Sequence, residues 1–170
     1  MAKKISLRQF QEHLSTRLNS VARGEGASSM LGVAAGDRQW LLDLSDSGEI
    51  VQLPPLVHVP LTRPTFAGIA NIRGNLYSVT DFSVFCGGEA TPLNAYARLL
   101  LIGTKYGSNA ALLVTRMLGL KNPNDFTPEA DSETAPTWGR QTLRDKEGRR
   151  WHKLAIRELL ADNDFMNIGT

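Results

Sequence analysis

The chain has 170 residues, of which 42% are hydrophobic and 21% charged, with a formal net charge of +2 at pH 7. That net charge does not indicate a nucleic-acid partner, and no apolar run is long enough for a membrane-spanning helix. The single cysteine, Cys86, excludes an internal disulfide and fits a reducing compartment. Taken together, these features lead us to expect a soluble cytoplasmic protein without a metal or another cofactor.

The first 27 residues are interpreted as a helix and a linker. Ser6 and Gln9 have the spacing of a capping box, and the glycines at 24 and 26 end the segment. Between them, apolar residues recur at helical spacing and predict an amphipathic helix over 6–22: Leu7, Phe10, Leu14, Leu18 and Val21. This helix either packs on the main domain, assigned to 28–170, or contacts a partner.

From residue 28 onward the pattern is typical of short strands separated by turn residues. A hairpin is predicted over 30–35 and 38–44, a turn over 45–48, and two short strands over 49–53 and 56–59 around a pair of prolines. No alternation of strands and helices is visible. These features favour a mainly β fold, a barrel or a sandwich with helices at its margins.

A second hairpin is predicted over 66–82. Even-numbered residues from 66 to 72 alternate onto one face and odd-numbered residues onto the other, and Gly74 with Asn75 is predicted to form the corner. Arg73 then stands at the end of a rigid strand. Its guanidinium is interpreted either as a group that binds a partner or as half of an internal ion pair, with Glu49 as the natural acid.

The remaining elements continue the β pattern. Residues 87–95 are predicted to be a loop, and the apolar runs 98–103 and 110–118 to be strands joined by a turn over 104–109. Prolines and acids predict a surface loop over 121–137. A last hairpin is predicted over 140–144 and 149–152, followed by a short helix over 154–161.

Further candidate residues lie in or near the second hairpin. Gly68 and Gly74 are interpreted as residues that allow close backbone approach and the sharp corner. Asn71 is interpreted as a hydrogen-bond partner for backbone groups near the turn, and Asp81 as either an exposed acid or a cap. Apolar residues nearby could form an exposed edge for a partner or simply belong to the core: Leu53, Leu56, Val57, Leu76 and Tyr77.

Catalytic and metal-binding patterns are not visible in the sequence. The three histidines are widely separated, and Cys86 has no histidine near it, so it is interpreted as buried and inert. One rival interpretation is a nucleic-acid-binding β-barrel, because basic residues interleave with Trp138 and Trp151 between 138 and 153. Acids stand among these basic residues, which favours a solvated hairpin with packed tryptophans.

The order of motifs around the second hairpin resembles the CheW-like coupling domain of bacterial chemosensory systems. The matching residues are Gly68-x-x-Asn71-x-Arg73-Gly74 followed by Val79-x-Asp81-Phe82, with a Gly48-Glu49-Ile50-Val51 strand before them and 97–102 after them. The C-terminal pattern, which closes with 165–168, is most similar to the twitching-motility branch of the family, the PilI-type adaptors.

This resemblance implies a fold and a function. The fold would be two small five-stranded, SH3-like β-barrel lobes with an N-terminal helix and a short C-terminal helix. The function would be that of a non-catalytic adaptor joining two partners, the cytoplasmic tip of a methyl-accepting chemoreceptor and the regulatory domain of a chemotaxis-type histidine kinase. The residues implied for partner binding are Arg73, Glu49, Gly68, Asn71, Gly74 and Asp81.

Overall fold

The computed structural model describes residues 29–170, so the helix predicted over 6–22 lies outside the described residues. The described chain is mainly β, as predicted. Its strands are β1 (Met30–Ala35), β2 (Arg38–Asp43), β3 (Ser47–Gln52), β4 (Phe66–Ile72), β5 (Asn75–Asp81), β6 (Arg98–Ile102), β7 (Ala110–Val114), β8 (Arg116–Lys121), β9 (Phe126–Pro128), β10 (Thr142–Asp145) and β11 (Arg150–Lys153). Its short α-helices are α1 (Phe82–Phe85), α2 (Ile156–Leu160) and α3 (Asn163–Met166).

The strands form two sheets, one for each lobe. The order in the six-stranded sheet is β8-β1-β2-β11-β10-β9, and the order in the five-stranded sheet is β3-β6-β7-β5-β4. Neighbouring strands are antiparallel except for two parallel pairs, β2 with β11 and β5 with β7. The sheets do not close into complete barrels, but the arrangement is consistent with SH3-like lobes.

The largest core cluster lies between the two sheets. Leu100 and Leu112 of the five-stranded sheet meet Val33 and Trp40 of the six-stranded sheet in this cluster. Strands β6 and β7 also bury their other faces, for example Leu99, in a separate cluster inside the five-stranded lobe. Burial on both faces explains why these strands read as continuous apolar runs rather than alternating ones.

One strand was predicted over the apolar run 110–118. The structure instead has two strands there, and they belong to different sheets. The chain leaves the five-stranded sheet after Val114 and enters the six-stranded sheet at Arg116. Thr115 sits at this crossing, where its N–H donates to Ala34 O at 2.8 Å and its Oγ1 accepts from Gly36 N at 2.9 Å. The hydrophobic pattern continues across the crossing, so it gives no sign of the break.

Two other local predictions were wrong. Residues 56–59 do not form a strand, and only Val57 makes an isolated bridge, to Ile69. The predicted surface loop over 121–137 contains β9, which pairs with β10 and places Phe126 in the core of the six-stranded lobe. Pairing with β10 decided the conformation of 126–128 against the local composition. The segment 56–59 makes one bridge and no continuous ladder, so its apolar residues do not form a strand. The hairpins β1–β2, β4–β5 and β10–β11 were predicted correctly.

Candidate partner-binding surface

The corner of the β4–β5 hairpin lies one residue earlier than predicted. Its two turn residues are Arg73 and Gly74, with φ angles of 54° and 84°, and Asn75 pairs with Ile72 as the first residue of β5. Two positive φ angles match the twist of a two-residue hairpin. The Asn71 Oδ1 accepts a hydrogen bond from Gly74 N at 2.9 Å, which confirms its backbone role. Arg73 therefore belongs to the turn itself.

Arg73 and Glu49 form an ion pair that joins the two edges of the five-stranded sheet. Glu49 lies on β3, and β3 and β4 are the outermost strands of this sheet. The sheet must therefore curl to bring its two edges together. The Arg73 side chain is 71% exposed and that of Glu49 43% exposed, so the pair contributes only about 0.2–1 kcal/mol to folding stability. A guanidinium has five N–H donors, so Arg73 keeps several available.

Gly68 lets a neighbouring segment lie directly against β4. Its φ is +138°, and a Cβ at this position would be 2.6 Å from the carbonyl oxygen of Val57. Val57 in turn exchanges two hydrogen bonds with Ile69, at 2.8 Å and 2.9 Å. The proline-containing segment thus pairs with the edge of β4. Gly68 allows this pairing because it has no side chain and adopts a positive φ.

The outer side of this hairpin carries exposed apolar side chains. The pairings Val57–Ile69, Ile69–Ser78 and Asn71–Leu76 place one set of side chains on a common face, called here the hairpin face: Val57, Ile69, Asn71, Leu76 and Ser78. Val57 is 65% exposed and Leu76 is 59% exposed. By contrast, three other candidates for the apolar edge pack against the core of the lobe: Leu53, Leu56 and Tyr77.

Asp81 is buried and caps α1, a short helix that sequence reasoning missed. Its carboxylate accepts from the N–H groups of Ser83 at 3.1 Å and Val84 at 3.4 Å, and from both the N–H and the Oγ1 of Thr91, at 2.8 Å and 2.7 Å. The cap interpretation is confirmed. Asp81 is only 6% exposed, so its carboxylate stabilises the end of β5 through buried hydrogen bonds.

Cys86 follows α1 and is partly buried. Burial raises the pKa of its thiol to about 12, an effect that Asp81 reinforces and Arg38 opposes. The thiol is therefore protonated at neutral pH, which fits the interpretation of an inert residue.

The basic C-terminal hairpin does not present its aromatic residues to solvent. Trp138 and Trp151 are both buried in core clusters. Most of the basic residues pair with acids in the same lobe: Arg144 and Arg150 with Glu129 at 2.5 Å and 3.2 Å, Arg149 with Asp145 at 3.0 Å, Lys146 with Asp125 at 2.9 Å, and Lys153 with Asp43 at 2.7 Å. A nucleic-acid surface needs exposed stacking platforms and unpaired cations, so nothing here supports that interpretation.

Two further features of residues 29–170 bear on the site. No group of three or more His, Cys, Asp or Glu side chains in this part of the chain could hold a metal ion. None of its helices is long and apolar enough to cross a membrane.

The family of this chain is shown by a match to a protein-family model over most of its length. Residues 29–164 match the model of the CheW-like domain, a span that includes both sheets and the β4–β5 corner. The chain belongs to the CheW-like domain family. The CheW family consists of non-catalytic scaffold and adaptor proteins, which is consistent with the expectation that the chain is not an enzyme.

Two individual proteins are similar to this CheW-like chain. Protein PilI of Pseudomonas aeruginosa is 28% identical over 108 residues, which cover 64% of this chain and 58% of PilI. The chain thus matches little more than half the length of that relative. The crystal structure of the scaffolding protein TtCheW from Thermoanaerobacter tengcongensis superposes with a TM-score of 0.64 at 18% identity, covering 76% of this chain and 89% of TtCheW. This second similarity establishes the fold.

Proposed function

We propose that this CheW-like chain is a cytoplasmic adaptor that couples a chemoreceptor to a chemotaxis-type histidine kinase in twitching-motility signalling of type IV pili. The two partners would be the cytoplasmic tip of a methyl-accepting receptor and the regulatory domain of the kinase. Similarity to PilI supports the pilus branch of this proposal, and membership of the CheW-like family supports the adaptor role.

The observation that carries the proposal is the exposed Arg73 corner beside the hairpin face. The turn fixes the backbone of Arg73, and its side chain is 71% exposed although it pairs with Glu49. Exposed Val57 and Leu76 both belong to the hairpin face. A cation at the rim of an apolar patch is a common composition for a protein–protein interface. We assign this surface to the receptor tip, with Arg73 donating to a carboxylate or to carbonyl groups there.

Gly68, Asn71, Gly74 and Asp81 would serve binding indirectly. Gly74 and Asn71 shape the corner, Gly68 holds the Val57 segment against β4, and Asp81 anchors the far end of β5. Glu49 would orient Arg73 before the partner arrives. Preorganisation of this kind reduces the conformational entropy lost on association.

A binding assay with two separate partners tests the proposal. Isothermal titration calorimetry would measure the affinity of the full chain for a receptor signalling tip and for a kinase regulatory domain. We expect both to bind, and we expect Arg73→Glu to weaken receptor binding at least tenfold while the midpoint of thermal unfolding changes little. Arg140→Glu makes the same charge change at an exposed arginine of the six-stranded lobe and is the matched control.

Two results would refute this assignment. If wild-type protein binds neither partner, the adaptor proposal is wrong. If both partners bind but Arg73→Glu and Arg140→Glu leave receptor affinity equally unchanged, the adaptor role stands and the Arg73 corner is not the receptor surface.

A further inference from the structure

The described chain begins beside two exposed leucines. The backbone carbonyl of Ser29 accepts a hydrogen bond from Leu44 N at 3.2 Å, and Leu44 is 39% exposed. On the other side of β1, Leu31 pairs with Leu120 of the edge strand β8, and Leu120 is 63% exposed. Residues 1–28 therefore join the domain between these two side chains, which are called here the β1 margin.

The β1 margin continues the apolar face that the six-stranded sheet turns toward the five-stranded sheet. Side chains directly opposite each other on neighbouring strands share a face, so Leu120 lies on the same face as Leu31 and Leu42. Leu31 and Leu42 are buried in the core between the sheets. Leu44 follows Leu42 by two residues across the extended backbone of Asp43, so it returns toward that face.

The other exposed large apolar side chains of residues 29–170 lie elsewhere. None of them is paired with β1 or hydrogen-bonded to Ser29: Val57, Leu61, Leu76, Leu93, Tyr96 and Met166. Among the described residues, the β1 margin is thus the exposed apolar surface that directly adjoins the start of β1.

The sequence before Ser29 has an apolar stripe that matches this surface in length. The helix predicted over 6–22 repeats its apolar residues seven apart, as in Leu7 and Leu14, which corresponds to about 10.5 Å along a helix axis. Leu44 and Leu120 are separated by two strand spacings and an offset of two residues, about 12 Å. One face of the predicted helix can therefore contact both leucines.

The tether between the predicted helix and β1 is short. Residues 23–28 span at most about 20 Å, and a short flexible tether gives an effective concentration in the millimolar range. The charges of the two parts are opposite. Residues 1–28 carry a net charge of +3 and the whole chain +2, which leaves −1 on residues 29–170; the charged residues before 29 are Lys3, Lys4, Arg8, Arg17 and Arg23 against Glu12 and Glu25.

We propose that the helix predicted over 6–22 packs on its own domain, with its apolar stripe on Leu44 and Leu120 of the β1 margin. An isolated helix of this length is only marginally stable in water, so burial of the stripe stabilises both the helix and the contact. This intramolecular contact involves neither Arg73 nor the hairpin face, and it does not depend on the proposed receptor contact.

Hydrogen exchange of the full chain, followed by mass spectrometry, tests whether the segment is packed. We expect the amides of 7–21 to exchange at least tenfold more slowly than in an unstructured peptide. Leu120→Glu should accelerate this exchange at least fivefold, whereas Leu93→Glu, at a side chain that is 69% exposed in another part of the domain, should leave it unchanged. Leu14→Glu should act like Leu120→Glu, and Thr16→Glu, on the opposite side of the predicted helix, should act like Leu93→Glu.

Disulfide formation locates the contact. Leu120→Cys is combined in turn with Phe10→Cys, Leu14→Cys and Leu18→Cys, and the native Cys86 does not compete because burial raises the pKa of its thiol to about 12. We expect at least one pair to form an intramolecular disulfide under mild oxidation, since a disulfide requires Cα atoms within about 7 Å. Replacing Leu120→Cys by Leu93→Cys should slow the reaction at least tenfold.

Three results would overturn the proposal. The first is exchange of 7–21 in the wild type as fast as in an unstructured peptide. The second is protection that Leu120→Glu and Leu93→Glu change equally. The third is a disulfide from Leu120→Cys that forms only between two molecules, at a rate that rises with protein concentration, because the stripe would then cover the β1 margin of a second copy.

Discussion

Val57 and Gly68 are in close backbone contact, since a Cβ at position 68 would lie only 2.6 Å from the carbonyl oxygen of Val57. This contact joins a segment without regular structure to the edge of β4. It also holds exposed Val57 in place as part of the hairpin face. A side chain at position 68 therefore affects both the stability of the lobe and the shape of the proposed receptor surface.

Gly68→Ala is expected to lower the free energy of unfolding by about 2–4 kcal/mol. A Cβ would be 2.6 Å from the Val57 carbonyl oxygen, and the φ of +138° is itself unfavourable for alanine. Gly74→Ala is the control, since its φ is +84° but, apart from its chain neighbours, no heavy atom of the described residues lies within 4 Å of the added Cβ. It should cost only about 1–2 kcal/mol. Urea denaturation of both variants measures the difference, and equal losses would contradict the close contact.

Exchanging the charges of Arg73 and Glu49 separates the internal ion pair from a partner contact. The double variant Arg73→Glu/Glu49→Arg can re-form the pair and should regain the small stability lost in either single variant, about 0.2–1 kcal/mol. Receptor binding should remain weak, because the cation has moved from the corner to β3. Recovery of full receptor affinity in the double variant would mean that only the internal pair matters.

Asp81→Ala is expected to destabilise the protein by about 2–4 kcal/mol. It removes the acceptor for four hydrogen bonds at a site that is 6% exposed, and it leaves the donors of Ser83, Val84 and Thr91 unpaired. Asp164→Ala is the comparison, because its side chain is 80% exposed and, within residues 29–170, forms an ion pair only with Arg63 at the surface. That variant should lose no more than about 1 kcal/mol. Thermal and urea unfolding of the two variants would show whether burial decides the difference.

Asp145 should make stability depend on pH in the acid range. Burial acts to raise its pKa, but hydrogen bonds from Trp151 and Arg149 overcome this effect and lower the pKa from 3.8 to about 2. A carboxyl whose pKa is lower in the folded state contributes stability above pH 3.8, and this contribution is lost as the pH falls toward 2. Asp145→Asn should therefore show a weaker decline in unfolding temperature over this interval.

Tryptophan fluorescence gives a local check on the same group, because the Trp151 Nε1 donates to Asp145 Oδ2 at 3.0 Å. The chain has three tryptophans, and Trp138 Nε1 also donates to an aspartate, Asp162. We therefore expect the emission of wild-type protein to change between pH 4 and pH 2, and the change to be smaller in Asp145→Asn. Identical profiles for the two proteins would show that Asp145 is not the titrating group.

Cys86 is expected to react slowly with thiol reagents in the native protein. Its pKa of about 12 leaves very little thiolate at pH 8, and burial also limits access. Unfolding in urea should accelerate labelling by an aromatic disulfide at least a hundredfold. The chain has one cysteine, so the signal is unambiguous. Equal rates in native and unfolded protein would show that the segment after α1 is open.

Local patterns predicted those elements that depend on neighbouring residues. The hairpins β1–β2, β4–β5 and β10–β11 and the helix α2 follow from alternation, turn residues and helical spacing close together in the chain. The corner was predicted one residue late, because asparagine tolerates a positive φ better than arginine does, whereas the register of β4 with β5 places Arg73 in the turn.

The sequence by itself determined a mainly β chain, its hairpins, and the presence of an arginine at a tight corner, because each depends on short-range periodicity and turn chemistry. Only the tertiary structure decided that the run around Thr115 divides between two sheets, that Glu49 reaches Arg73, and that the hydroxyl of Ser83 is buried without a hydrogen-bond partner among residues 29–170. These relationships involve residues that are distant in the chain, or strands that are buried on both faces. Local hydrophobic pattern does not encode which strand a segment will pair with.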